Sequence, residues 1–546
     1  MDIFYISYED ELVESQLSGV ISTSIENAYK VSDIKSEALR NYVENKYSFS
    51  FIEYNGENYI TNNAIKLIYS IDLSNQNITD SDLVELSIFP NLSEINLSNN
   101  NISDITSLAN LKNLTSLNLS NNNVSDVTPL ASLDNLTSID LSNNRLTKGY
   151  DLLVNTYELK LNNCNIDGNI SLKNLNKLIL LDLSDNTGIN LNDFLPENIG
   201  NLILKNIDLV SLDNLGKFDD LLTLDVSNNK LTDLNGISNF KNLLNIDISG
   251  NNINDYSLLK NFNNLFSLTA KNNNISDITI FNDINTIRLD LSDNNINDIT
   301  NFKNDNVFSL DLSNNKITSG FEVLKNIETL FLADNDITDL TEISKLDNII
   351  NLDLSNNKIK DISLLSKLDK LDTLSLAGNK QLEGTFKSNS IEHLNLSNSN
   401  IDDNFDLSNI KKLTYINLSH TNYNDLNKVI NLLPTDNYSS IFIDGREISE
   451  IDANAINNLN KNIMIFNATI NFNLEASKNN IDLKNNLPLK KVLLRDVMSI
   501  TSKLINGKGV NKFSNITIDD INEHSIQFNK VSYGNKFIDA DLILNY

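Results

Sequence analysis

Residues 91–112, NLSEINLSNNNISDITSLANLK, are followed at once by 113–134, NLTSLNLSNNNVSDVTPLASLD, with apolar and polar residues at the same positions. In the first segment the apolar positions are Leu92, Ile95, Leu97, Ile102, Ile105, Leu108 and Leu111. Aligned on L-x-x-L-x-L-x-x-N-x-I, position 9 is Asn at 100, 122, 144, 186, 229, 251, 273, 294, 315, 335, 357 and 379. Gln76, Cys164, Ile207, Ser399 and Thr421 replace it in five further copies, giving 17 repeats spaced 20 to 24 residues apart. A degenerate eighteenth is SIFIDGREI, 440–448. One copy cannot bury its own apolar positions, whereas stacked copies cover each other's edges, so stability becomes a sum of nearest-neighbour terms.

These residues resemble leucine-rich repeats, specifically the 22-residue class of bacterial internalins and protein phosphatase 1 regulatory subunits. The resemblance spans residues 67–450 and implies an α/β solenoid: a curved parallel β-sheet on the concave face and short 3₁₀ or α turns on the convex face. Positions 4 and 6 of each strand then face the core, and positions 3, 5 and 7 line the concave surface. The position-9 Asn is expected to be buried, its amide satisfying backbone groups in the turn after the strand, since each such group left unpaired costs about 1–3 kcal/mol. Cys164 suits the same structural place. Ile207 cannot hydrogen-bond through its side chain and should mark a locally distorted coil. Asp80, Asp104, Asp126, Asp233, Asp255, Asp277, Asp298, Asp339 and Asp361 each precede a short apolar stretch and suit the caps of the convex turns.

The ends depart from the repeat. Residues 33–66 resemble the helical N-terminal cap of bacterial leucine-rich-repeat proteins, with Leu39 and Val43 one turn apart. Residues 1–32 form an extra segment, packed or used for docking. Beyond 450, alternating segments such as NIMIFNATINFNL and HSIQFNKVS predict a small C-terminal β-rich domain over 451–546. LKKVLLRDVMSITSKLI, 489–505, reads as a helix within it.

Charge narrows the function. The net charge is −29, and 451–546 hold 11 basic against 9 acidic side chains, which leaves the acidic excess to residues 1–450. Such a surface repels phosphate, so no nucleic-acid partner is expected. The first residues lack the basic and apolar regions of a secretory signal, and no apolar run approaches the roughly 20 residues of a membrane span. A cytoplasmic location follows, with a virion or tail particle, or export by a non-Sec route, as alternatives. A lone cysteine excludes an internal disulfide framework.

No catalytic constellation is visible. The three histidines, His393, His420 and His524, fit no metal-binding pattern, the calcium-loop spacing is absent, and Ser recurs at position 7 in twelve repeats, which suits structure rather than a nucleophile. We therefore expect no enzyme, no metal and no cofactor.

Two features of the strands point to recognition. Position 5 is Asp in eight repeats, either because such strands simply carry a solvated carboxylate beside Ser, or because the face seeks cations. Position 2 changes from Ser93, Thr115 and Thr137 to Ile179, Leu222, Leu244, Phe266, Ile287, Phe308 and Ile350, joined at position 5 by Phe331. Those side chains either lie exposed as a partner site or fold against the ascending loop. The candidate partner-binding residues are Asp247, Phe266, Ile287, Asp290, Phe308, Asp311, Phe331, Ile350 and Asp353. The expected function is non-enzymatic recognition of a protein with a basic or mixed basic and apolar surface. A phage-tail, bacteriocin or cell-surface adhesin docked to a larger particle, or an internalin-like effector, is the alternative.

Overall fold

The computed structural model describes residues 28–402 and 405–422, and beyond these the backbone of short strands between 439 and 538. The chain divides into two compact units, 1–265 and 266–546.

Each coil of either unit has the same anatomy. A three-residue strand occupies positions 3 to 5, as in Glu94–Asn96 and Ser309–Asp311. It pairs in parallel with the strand of the next coil without a register shift, Ile95 opposite Leu117 and Leu310 opposite Leu330. Zero slip keeps every position-4 and position-6 side chain in one apolar column; Leu97, Leu119, Leu312 and Leu332 are all fully buried. The turns opposite the sheet are 3₁₀ segments such as Thr106–Asn110 and Ser363–Lys367.

Asn at position 9 holds the turn after the strand. In the first unit the Asn229 amide donates to Leu204 O at 2.8 Å, Val226 O at 2.9 Å and Ser227 O at 3.2 Å. Its Oδ1 accepts the N–H of Ile207 at 3.0 Å and of Leu209 at 2.9 Å. One side chain thus satisfies groups from two coils. Cys164 fills the place with its Sγ on Leu141 O at 3.0 Å, and burial pushes the thiol pKa up to about 12.

Ile207 is a correction. Its coil is not distorted at the sheet: Asn201–Ile203 pairs in register on both sides. The adjustment lies one coil earlier, where the N–H of Gly188, which a ladder Asn would otherwise accept, donates to the backbone carbonyl of Ile207 at 3.3 Å. Gly188 adopts the left-handed φ of 75° that this contact uses.

Position 8 carries a rule of its own. Its φ is positive in coil after coil, from Asn99 at 57° and Asn121 at 56° to Asn356 at 52°. Asn, Asp and Gly tolerate that conformation best, which accounts for the first Asn of each S-N-N.

The expected capping Asp residues accept the N–H two residues on, Asp104 from Thr106, Asp298 from Thr300 and Asp339 from Thr341, all at 2.9 Å, but these bonds shape the turn ahead of the convex segment. Asp277 is itself the cap of a 3₁₀ segment, Ile278–Phe281, accepting from Thr279 N at 2.9 Å. Donation from the Thr300 and Thr341 hydroxyls and amides holds the Asp298 and Asp339 carboxyls below the usual range. Asp80 differs, accepting from Ser103 of the next coil at 2.7 Å.

At the N-terminal side, helix Glu37–Tyr47 buries Leu39 and Val43, and the Ser36 hydroxyl caps it by accepting from Leu39 N. A hairpin, Phe51–Tyr54 with Glu57–Thr61, follows. Residues 1–27, and with them most of the extra N-terminal segment, lie outside the described residues. At the other end, Ile463–Glu475 is a strand as the alternation predicts. The expected helix over 489–505 is not formed: Val492–Arg495 and Ser499–Ile505 are strands, both paired in parallel with Ile463–Glu475. The β-branched Val492, Ile500 and Thr501 suit that pairing.

Candidate recognition face

The D-x-S run at the end of each strand has a local cause. Asp290 accepts the N–H of Ser292 at 2.9 Å and its hydroxyl at 2.7 Å. Asp311 accepts from Ser313 N at 2.8 Å and Asp353 from Ser355 N at 2.9 Å. In the first unit Asp247 does the same with Ser249, at 2.9 Å from the N–H and 2.5 Å from the hydroxyl. The position-7 Ser is consequently drawn inward: Ser98, Ser249 and Ser292 are buried and Ser313 and Ser355 half-buried, whereas Lys205 and Lys271 at the same position stay exposed as the alternation suggests.

Asn performs the same turn. Asn96 takes Ser98 N at 3.1 Å, Asn118 takes Ser120 N at 2.9 Å, and Asn395 takes Ser397 N at 3.0 Å. The turn therefore needs a side-chain oxygen and not a charge. Asp appears where Asn would serve equally, and the carboxylates of neighbouring strands then stand about 5 Å apart.

In the second unit this charge concentrates around Asp311. Its backbone pairs with Asp290 on one side and Phe331 on the other, and Phe331 pairs in turn with Asp353. Burial raises the Asp311 pKa, and the charges of Asp290 and Asp353 add to the rise against the bonds from Ser313 that lower it. A carboxyl with a raised folded-state pKa destabilises the fold while ionised. That penalty disappears as pH falls through the raised value. Asp311→Asn keeps the turn and should stabilise the second unit by about 1 kcal/mol at pH 7. In denaturant melts at pH 7 and pH 3.5, the gain should be present at the first and absent at the second.

The apolar side chains beside these acids are exposed. Phe266 is 41% exposed, Ile287 and Phe308 43%, and Phe331 36%, which settles position 2 in favour of exposure. Ile350 is the exception and is half-buried. Arg288, at position 3, places its guanidinium 5.0 Å from the centre of the Phe266 ring, a cation on an aromatic face supplied by the chain itself. Lys271 pairs with Asp293 at 3.3 Å. In the first unit Tyr157, Ile179, Leu222 and Leu244 are likewise exposed at position 2, and Asp247 follows Asp225 on the paired strands. The second unit thus brings together Phe266, Ile287, Asp290, Phe308, Asp311, Phe331 and Asp353 on one sheet. Asp247 belongs to the first unit.

Nothing else among the described residues gathers reactive groups. They hold no cluster of three or more His, Cys, Asp or Glu side chains able to bind a metal, and no helix long and apolar enough to cross a membrane. A groove of 720 Å³ beside the Asn ladder of the second unit is lined by turn residues of both signs, including Asp334, Asp336, Lys358, Lys360 and Lys380. Lys358 and Asp336 already pair at 2.7 Å.

A family model described as leucine-rich repeats (2 copies) matches residues 112–148 and 347–387. No curated protein matches the chain. Among solved structures, an internalin (InlF) from Listeria monocytogenes is 23% identical over 64% of this chain and 97% of its own, with a TM-score of 0.43. A leucine-rich-repeat protein of Leptospira interrogans is 22% identical over 69% and 97%, TM-score 0.40. TLR13, in a complex with the single-stranded RNA ssRNA13, is 19% identical over 74% and 71%, TM-score 0.53. The last supports the fold alone. With the repeat in the sequence, the in-register parallel ladder and the matched family model, the chain carries leucine-rich repeats and folds as a leucine-rich-repeat solenoid.

Proposed function

We propose that the open sheet face of the second unit recognises a protein partner with a basic or mixed basic and apolar surface, without catalysis. The observation that carries this reading is the use of Asp, where Asn would hold the turn equally, beside exposed Phe308 and Phe331. Large apolar side chains release water on contact and dominate binding energy, while the acids steer a basic surface and exclude acidic ones. The same acids disfavour a phosphate backbone, so the RNA bound by TLR13 is no guide here. Leucine-rich-repeat proteins generally bind other proteins.

A photo-reactive benzophenone side chain at Ser309, between Phe308 and Leu310, tests the reading in cells. It should cross-link a discrete protein, and in an extract of those cells capture should fall as salt is raised from 50 to 500 mM, which shortens the Debye length from about 14 to 4 Å and weakens charge-steered association. Cross-linking from Ser116 of the first unit to the same protein, with none from Ser309, would contradict it.

A further inference from the structure

The open face of the second unit carries two parallel stripes, and their spacing limits what can lie on them. Position 2 contributes Phe266, Ile287 and Phe308 on three successive strands. Position 5 contributes Asp290 and Asp311 and, two strands further on, Asp353. Three residues of extended chain separate the stripes by about 10 Å. Strands follow each other every 4.8 Å or so, close to the 5.4 Å turn of an α-helix, whose width with side chains is about 10–12 Å.

A helix laid across the strands would therefore offer about one turn to each strand. Its apolar edge would meet position 2, and a basic edge would meet position 5. An extended peptide repeats its facing side chains about every 6.8 Å and falls out of step with the strands within two of them. The charge of the face agrees: Asp290, Asp311, Glu328 and Asp353 stand against Arg288, which is occupied with Phe266, and Lys271, which is paired with Asp293.

One strand inverts the pattern. On Thr329–Phe331 the acid sits at position 2, as exposed Glu328, and the aromatic sits at position 5, as Phe331. A partner helix that matches all the strands must exchange its apolar and basic residues at that one turn, which fixes its register.

We infer that this face is a docking site for a basic amphipathic α-helix lying across the strands, with its apolar and basic edges exchanged at the turn over Glu328 and Phe331. The inference rests on the recognition reading above and specifies the partner's form.

The test uses the full-length protein and three fluorescent peptides of about four helical turns, 15 residues at 3.6 per turn. One is a stapled Leu/Lys helix with the exchange at its third turn, one is the same helix without the exchange, and one is the first composition interrupted by two central prolines. The exchanged helix should bind most tightly, the uniform helix several-fold more weakly, and the proline peptide at least about tenfold more weakly. Phe308→Ser should weaken the exchanged helix about tenfold or more. Glu328→Leu together with Phe331→Asp, which restores uniform stripes, should reverse the preference between the two helices.

Equal binding of the proline peptide, failure of all three to bind, or an unmoved preference in the Glu328→Leu, Phe331→Asp protein would overturn the helical form. Cross-linking from Ser309 reads the recognition reading separately, so a partner caught there while the peptides fail leaves that reading standing and removes only the helix.

Discussion

Asn229→Ala should destabilise the first unit by about 3–5 kcal/mol, well above the roughly 1 kcal/mol of an average substitution. Among the described residues the Asn229 carboxamide is the sole acceptor of two backbone N–H groups, those of Ile207 and Leu209, and it donates to three carbonyls. Alanine leaves both donors unpaired in the turn next to a side chain, Ile207, that offers no substitute. Asn251→Ala, which removes the acceptor of the Leu231 N–H at 3.0 Å, should cost about 2 kcal/mol. Carbonyls lose less than donors in both variants, since Val226 O is shared by the amides of Asn229 and Asn251 and keeps one when the other is removed. Denaturant titration gives the order, and hydrogen exchange at Ile207 and Leu209 should accelerate selectively in Asn229→Ala. Negligible costs for both variants, or unchanged exchange at those amides, would show that the ladder does not hold the turn.

The repeat made most of the fold legible. A period near 22 with Asn at position 9 specifies which side chains meet, because each coil can be covered only by its neighbour, and the in-register pairing of Ile95 with Leu117 follows directly. The turn chemistry was harder to read. Asp247, Asp290 and Asp353 look like solvated acids in one dimension, yet each binds the Ser two residues on. The signal was present in the exchange of Asp for Asn at Asn96 and Asn118, since residues that interchange in one turn share what that turn requires. Position 8 was legible on the same grounds, as Asn, Asp and Gly have the left-handed backbone in common.

Two readings failed for non-local reasons. Residues 489–505 carry apolar residues at helical spacing, but parallel partners more than 25 residues away, as with Ile463 and Val492, decide for strands. Ile207 looked like a break in the ladder, and the compensation came from the backbone of Gly188 in the preceding coil. For the recognition face, the sequence identified the residues but left position 2 open. Phe308 and Ile287 emerge exposed because position 1, occupied by buried Val307 and Thr286, takes the inward place at the start of the strand.

The recognition face predicts the other large effect. Phe308→Ser with Phe331→Ser replaces two exposed rings among the described residues of the second unit and no fully buried side chain, so the fold should survive. Interface aromatics of this kind carry about 2–4 kcal/mol each, so the pair should weaken binding at least about a hundredfold. Ser116→Ala with Ser138→Ala, on strands of the first unit that present small polar groups, should leave binding unchanged. The decisive measurement is the affinity of the protein cross-linked from Ser309, titrated calorimetrically against the natural chain and both double variants, with circular dichroism confirming that each is folded. Loss of binding in the folded Phe308→Ser, Phe331→Ser protein alone is the predicted result, and native affinity in that protein would contradict recognition by this face.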